Sequence, residues 1–176
     1  MPTMRNSHNY AVAIRWTGNR GTGTSGYRDY GRDLQVLPAR EDSKHLIEAS
    51  ADRTFHGDSD RWNPEELLLA ALSQCHLLSF LHVATAAGVV VTAYTDNPIG
   101  TLITRDDGSG QFSEATLRPH VTIADPHRLT DLPELHHRAA EKCFIAASLN
   151  FPLRYEPSAS AAPTTHTVTP HPTLHP

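Results

Sequence analysis

From Tyr10 to Trp16 apolar and polar positions alternate, and the run stops at Gly18. That period of two predicts a half-buried strand running into a loop. Glycine and threonine dominate the next stretch, NRGTGTSGYRDYGRD, until Leu34, Val36 and the later HLIEAS restore short strand-like runs. Together these predict a β-meander. The pattern then changes period. After the polar loop FHGDSDRW, Asn63 precedes Pro64, Glu65, Glu66 and a long apolar run. An N-cap amide, a proline at the first helical position and acids in the first turn each suit the exposed N–H groups and dipole of a helix start. AAG, ending at Gly88, supplies the stop. The prediction is one long central helix to about Ala87. Beyond it, VVVTAYTD opens a strand, and PIGTLITRDDGSGQFSEATLRPHVTIAD reads as strands around a turn at Asp107 to Gly110. LTDLPELHHRAAEKCFIAASL reads as a second helix capped near Thr130 or Asp131, and FPLRYEP as a last short strand.

Composition narrows what this frame can serve. With 176 residues and 19.3 kDa the chain is sized for one folding unit. A net charge of -4 and a pI near 6.3 offer no basic field, so nucleic acid is not an expected partner. The start, MPTMRNSHNY, has no apolar core behind a positive segment, which sets a cytoplasmic location as the expectation. Leu67 to Val91 is apolar enough to raise the question of a membrane span, but Ser73, Gln74, His76, Ser79 and His82 lie inside it. A buried helix with no membrane partner is the reading taken. Residues 1–8 form an arm and 9–156 the domain. From Pro157 onward five prolines and few large apolar side chains predict a disordered tail over 157–176. Its histidines, His166, His171 and His175, lack a carboxylate or thiol partner, and no close cysteine spacing suggests zinc, so no metal or other cofactor is expected.

The chemistry lies with two cysteines, Cys75 and Cys143. A lone cysteine on an apolar helix is by default a small hydrophobe. Two in a chain without a disulfide framework, each read as lying on a helix, also suit a peroxidatic and resolving pair. A thiol hydrolase would need a histidine base. His76 points about 100° away from Cys75 on the same helix and His82 lies about 10 Å along it, so neither serves within that helix. Leu77, Leu78, Phe80 and Leu81 around Cys75 would either make an apolar substrate site or belong to the core.

Four segments carry a resemblance: WTGNRGTGT, NPEELLLAALSQCHLLSFL, VVVTAYTDNPIG and AEKCFIAASLNFPL. They resemble the OsmC/Ohr family, the osmotically inducible protein C and organic hydroperoxide resistance proteins, over roughly Tyr10 to Pro157. The resemblance implies an α+β, OsmC-like fold with the β-meander, the long central helix and a second β-α-β lobe, assembled as an intertwined homodimer. It implies a cysteine-dependent peroxidase that reduces organic hydroperoxides to alcohols through a reversible disulfide, with a dithiol reductant such as a lipoylated protein. By matching positions Cys75 would be the peroxidatic thiol, Cys143 the resolving thiol, Arg20 the cation that stabilises the thiolate, and Glu65 the carboxylate that orients it. Two departures stand out. Phe144 follows Cys143 where the best-known members have proline, and the long arginine-bearing loop leaves Arg28 or Arg32 as alternatives to Arg20.

General chemistry asks for that cation. An ordinary thiol, of pKa about 8.5, is mostly protonated at neutral pH, and only the thiolate attacks peroxide efficiently. The helix N-terminus lies about three turns from Cys75, beyond the reach of the dipole. Glu65 lies about 15 Å along the same helix axis, too far for one arginine head to touch both. A thiol served by Arg20 and Glu65 together would therefore belong to another subunit. A small-molecule-binding or stress-accessory protein on the same fold, its cysteines inert, is the rival reading.

Overall fold

The computed structural model describes residues 6–40 and 44–163. The chain divides into two compact units, one up to Leu68 and one from Leu69.

In the first unit, strands β1 (Val12–Trp16), β2 (Leu34–Pro38) and β3 (Ile47–Ala49) form an antiparallel meander. Ile14 faces Val36, and Leu34 faces Ala49. The long β1–β2 loop is folded back on itself: Gly31 N donates to Gly18 O at 2.8 Å and the Trp16 indole to Gly31 O at 2.9 Å. Arg61 gathers Asp33, Glu48 and Asp58 at 3.6, 2.5 and 3.5 Å, tying the loop before the helix to the sheet. Asn63 and Glu66 form a reciprocal cap, with Glu66 N donating to Asn63 Oδ1 at 2.8 Å and Asn63 N to Glu66 Oε2 at 3.3 Å. Helix α1 (Pro64–Ala86) starts there, as the sequence predicts, and the boundary between the units falls in its first turns.

In the second unit α1 buries Leu72, His76, Phe80, Val83 and Ala84, a stripe at helical spacing. Gly88 ends it at a φ of 71°, while Val89 N reaches back to Ala84 O at 2.9 Å. Strands β4 (Val91–Thr95), β5 (Ile99–Thr104), β6 (Gly110–Leu117) and β7 (His120–Ile123) follow. Helix α2 (Leu132–Glu141), preceded by a 3₁₀ turn over Pro126–Asp131, leads to β8 (Leu153–Tyr155) and β9 (Ser158–Ala161). Two three-stranded sheets result, in the orders β4-β7-β9 and β5-β6-β8. The core packs Phe80, Val83 and Ala84 of α1 and Leu132, Leu135 and Ala139 of α2 with Val121 and Ile123 of β7.

Two expectations are corrected. The predicted tail is ordered at its start: Ser158–Ala161 pairs parallel with His120–Ile123 as β9. Backbone pairing, helped by Ser158 and Ser160 hydroxyls on the His120 ring at 2.9 and 3.0 Å, holds a segment whose side chains bury little. The three tail histidines lie outside the described residues. The second helix is also shorter than predicted. It ends at Glu141, so Cys143 sits just past it in a turn whose N–H groups still bond Ala139 O and Ala140 O.

Candidate active site

Within the second unit the two thiols meet. Cys75, half-buried midway along α1, is in hydrogen-bonding contact with Cys143, which is 1% exposed. Both are free thiols. Burial pushes the Cys143 thiol up to about 11, and the contact with Cys75 adds to the rise. The buried sulfur therefore keeps its proton at neutral pH, and Cys75 is the one open to an incoming molecule. Cys75 lines a cavity of about 580 Å³ together with Leu78, Ser79 and His82 of α1 and Glu141, Lys142 and Phe144 after it in the chain. Leu78 and Phe144, exposed by 59% and 82%, give this cavity apolar walls. Phe80 does not take part, because it is wholly buried in the core. Phe144, the residue after Cys143, contributes to the cavity wall.

Behind the thiols lies a column of rings. His76 Nε2 and His136 Nδ1 share a hydrogen bond of 3.0 Å, and both histidines are buried. Tyr155 packs on His76 at 4.8 Å between centroids, and His136 stacks on Phe80 at 4.2 Å. Desolvation lowers both histidines from the ordinary 6.5 to about 4; Asp96 works against this at His76, and His76 adds to it at His136. Both rings are neutral in the physiological range. Tyr155 is pushed up to about 12 by burial and by the two nearby sulfurs. His76 is thus engaged with His136, whereas His82 is exposed and lines the Cys75 cavity. The sequence reading passed over His136 and Tyr155. A signal was present for the first: His136 falls on the apolar stripe of Leu132, Leu135 and Ala139, and His137 does not.

The other two expected site residues belong to the first unit. Arg20 is exposed in the β1–β2 loop, next to Asn19, whose Oδ1 accepts from Gly21 N at 2.9 Å and Gly23 N at 3.1 Å. Glu65 sits in the first turn of α1, and its Oε2 is buried with no hydrogen-bond partner among the described residues. A buried carboxylate oxygen left without a donor is costly, so this position suits an incoming cation. Arg32 is otherwise occupied. Its guanidinium lies 4.6 and 4.1 Å from the Tyr27 and Tyr30 ring centroids and donates to both backbone carbonyls at 2.8 Å. Among the described residues no group of three or more His, Cys, Asp or Glu could hold a metal ion.

The family model for OsmC-like proteins matches residues 57–157, more than half of the chain and all of the thiol-bearing segment. The chain belongs to the OsmC-like protein family. Among solved structures, this OsmC-like chain is similar to an OsmC-like protein of unknown function from Vibrio cholerae, with 29% identity, a TM-score of 0.75, and coverage of 86% of this chain and 99% of that one. An organic hydroperoxide resistance protein from Elizabethkingia anophelis aligns at 16% identity and a TM-score of 0.63, over 90% of this chain and 100% of its own. The organic hydroperoxide resistance protein OhrB of Bacillus subtilis aligns at 16% identity and 0.56, over 87% and 98%. At those identities the last two establish the α+β, OsmC-like fold and no more. No curated protein matches the chain.

Proposed function

We propose that this OsmC-like protein is a cytoplasmic thiol peroxidase that reduces organic hydroperoxides to alcohols. The observation that carries the reading is the contact between a half-open thiol on an apolar-walled cavity and a buried, protonated one. The Cys75 thiolate attacks the outer oxygen of ROOH. The O–O bond breaks, ROH leaves after taking a proton, and Cys75 becomes a sulfenic acid. The Cys143 sulfur then attacks the Cys75 sulfur; its proton leaves with the hydroxyl as water, and a Cys75–Cys143 disulfide forms. A dithiol, such as the dihydrolipoyl group of a lipoylated protein, exchanges with that disulfide and restores both thiols. Leu78 and Phe144 would receive the R group, favouring an organic over a small hydrophilic peroxide.

In this reading the protein works as a homodimer in which Arg20 and Glu65 of one protomer serve the thiols of the other. Arg20 favours the thiolate and Glu65 holds its fork. The Glu65 oxygen, unpartnered among the described residues, supports a demand for such a cation.

Purified reduced protein is given cumene hydroperoxide while thiols and peroxide are counted. Wild type should lose both thiols per peroxide consumed and turn over with a dithiol. Cys75→Ser should consume none, and Cys143→Ser should oxidise once and stall. Equal, full activity in both variants would reject the mechanism, and a wild type whose thiols stay inert would return the protein to a binding role.

A further inference from the structure

We propose that the His76–His136 hydrogen bond is the positioning device for the second thiol, setting the register between α1 and α2 at which Cys143 meets Cys75. Closing of the disulfide then depends on the pair, and the first oxidation of Cys75 does not.

The placement of the two rings argues for this. His76 is the residue after Cys75 on α1, and His136 lies on α2 seven residues before Cys143, which follows two residues past the helix end at Glu141. The turn that carries Cys143 is bonded to the end of α2 through Lys142 N and Cys143 N at 3.1 and 3.2 Å, so it moves with that helix. Around the pair, α1 and α2 share an apolar cluster, Leu132, Leu135 and Ala139 with Phe80, Val83 and Ala84. Such contacts tolerate sliding, because dispersion and burial are not directional. A buried N–H···N bond of 3.0 Å is directional and can be made at one register. The pair is also closed on itself. His76 Nδ1 and His136 Nε2 have no hydrogen-bond partner among the described residues, so each ring's one bond is to the other. Tyr155 and Phe80 cap the two rings from either side and fix their planes. Apart from the thiols themselves, a further polar tie between α1 and the Cys143 turn, Ser79 Oγ to Lys142 O at 3.4 Å, is long and exposed and cannot substitute. Two polar rings in a site that Phe and Leu would fill cost desolvation, and register specification is the best-attested return for such a buried polar pair.

The inference rests on the peroxidase reading for its place in turnover, but its test does not need peroxide. His76→Phe/His136→Leu replaces the pair with apolar groups of similar bulk and leaves no unpaired nitrogen. Its folding is checked by thermal melting. The effective concentration of the two thiols is then measured by equilibration with reduced and oxidised glutathione, in which the two protein thiols become the disulfide as glutathione disulfide becomes two glutathiones. Separately, the single oxidation of Cys75 by cumene hydroperoxide is timed in the Cys143→Ser background. In the folded variant the effective concentration should fall by about tenfold or more, as expected when two reacting groups lose a fixed geometry, while the Cys75 rate stays within about threefold. An unchanged effective concentration overturns the proposal and leaves the histidines as core filling. Equal losses in both measurements overturn it as well, since the effect is then general. If wild-type Cys75 ignores peroxide, the peroxidase reading fails and the glutathione result still decides this one. Should the variant not fold, wild-type protein decides by NMR: coupling across the shared proton between the two rings supports the device, and two rings titrating independently near the ordinary histidine range overturn it.

Discussion

Two sulfurs in contact are chemically unequal here because one faces a cavity and the other faces the core. Cys143 keeps its proton up to about 11, which suits a group that attacks only after Cys75 has been oxidised. Among the described residues no arginine lines the cavity beside Cys75, and the proposed mechanism gives that part to Arg20 of the partner protomer. Arg20→Ala should slow Cys75 oxidation at pH 7 by about tenfold or more, the scale of one charge-assisted contact. The rate should recover in part at alkaline pH, where the thiolate forms unaided. Arg32→Ala should instead lower stability, because that guanidinium is spent on the Tyr27 and Tyr30 rings and carbonyls. Stopped-flow rates against pH for Arg20→Ala and Arg28→Ala settle the assignment: if the Arg28 variant alone shows the alkaline recovery, Arg28 is the activating cation.

Where α1 and α2 meet, the buried histidines make stability depend on pH with a definite sign. Both rings drop from 6.5 to about 4 on folding, with desolvation the leading cause. Above about 6.5 neither folded nor unfolded chain protonates them, and their neutral packing is fully available. As pH falls toward 4 the unfolded chain takes up protons that the folded chain refuses, so stability is lost across that window at up to about 1.4 kcal/mol per histidine per pH unit. Thermal melts from pH 7.5 to 4.5 should show this slope in the wild type and a shallower one in His76→Phe/His136→Leu. Parallel slopes would mean that other groups set the acid limit. These two helices also show how far the sequence could be read. The start of α1 was legible because capping is local chemistry: Asn63, Pro64 and Glu66 lie within four residues, and the cap forms between them. Its end at Gly88 and the turn before Gly110 were legible for the same reason. The early end of α2 was not, since Lys142 to Ser148 carries no glycine or proline and is turned by tertiary packing around Cys143. Nor was β9, where a low-complexity segment is held by an existing strand edge. Of the site, the two thiols stood out by residue type, whereas the His76–His136 contact spans 60 positions and depends on the packing of α1 against α2.

At the scale of the whole molecule, the surface left open on one protomer argues for a second. The most apolar 18-residue window of α1 is only 28% buried within the chain, which is unusual for a helix of this composition packed into a core. Leu78 and Phe144 beside the thiols, Tyr10 ahead of β1, and Val12 and Ile14 on it are more than half exposed. Exposed apolar surface on this scale is what association covers. Glu65 adds a reason of its own, since ten helical residues, about 15 Å of rise, separate it from Cys75 in the sequence, and its buried oxygen lacks a donor among the described residues. We therefore expect a homodimer with two composite sites, each taking Cys75 and Cys143 from one protomer and Arg20 and Glu65 from the other. Complementation tests this. Cys75→Ser and Arg20→Ala chains, each nearly inactive alone, are unfolded, mixed in equal amounts and refolded together. Random pairing makes half of the dimers mixed, and each mixed dimer carries one intact site, so about a quarter of wild-type peroxide turnover should return. Sites built within one chain would give no recovery, because every chain in the mixture carries a defect. A folded protein that scatters light as a monomer would reject the shared site outright, and would leave Arg20 to act, if it acts, on the thiols of its own chain.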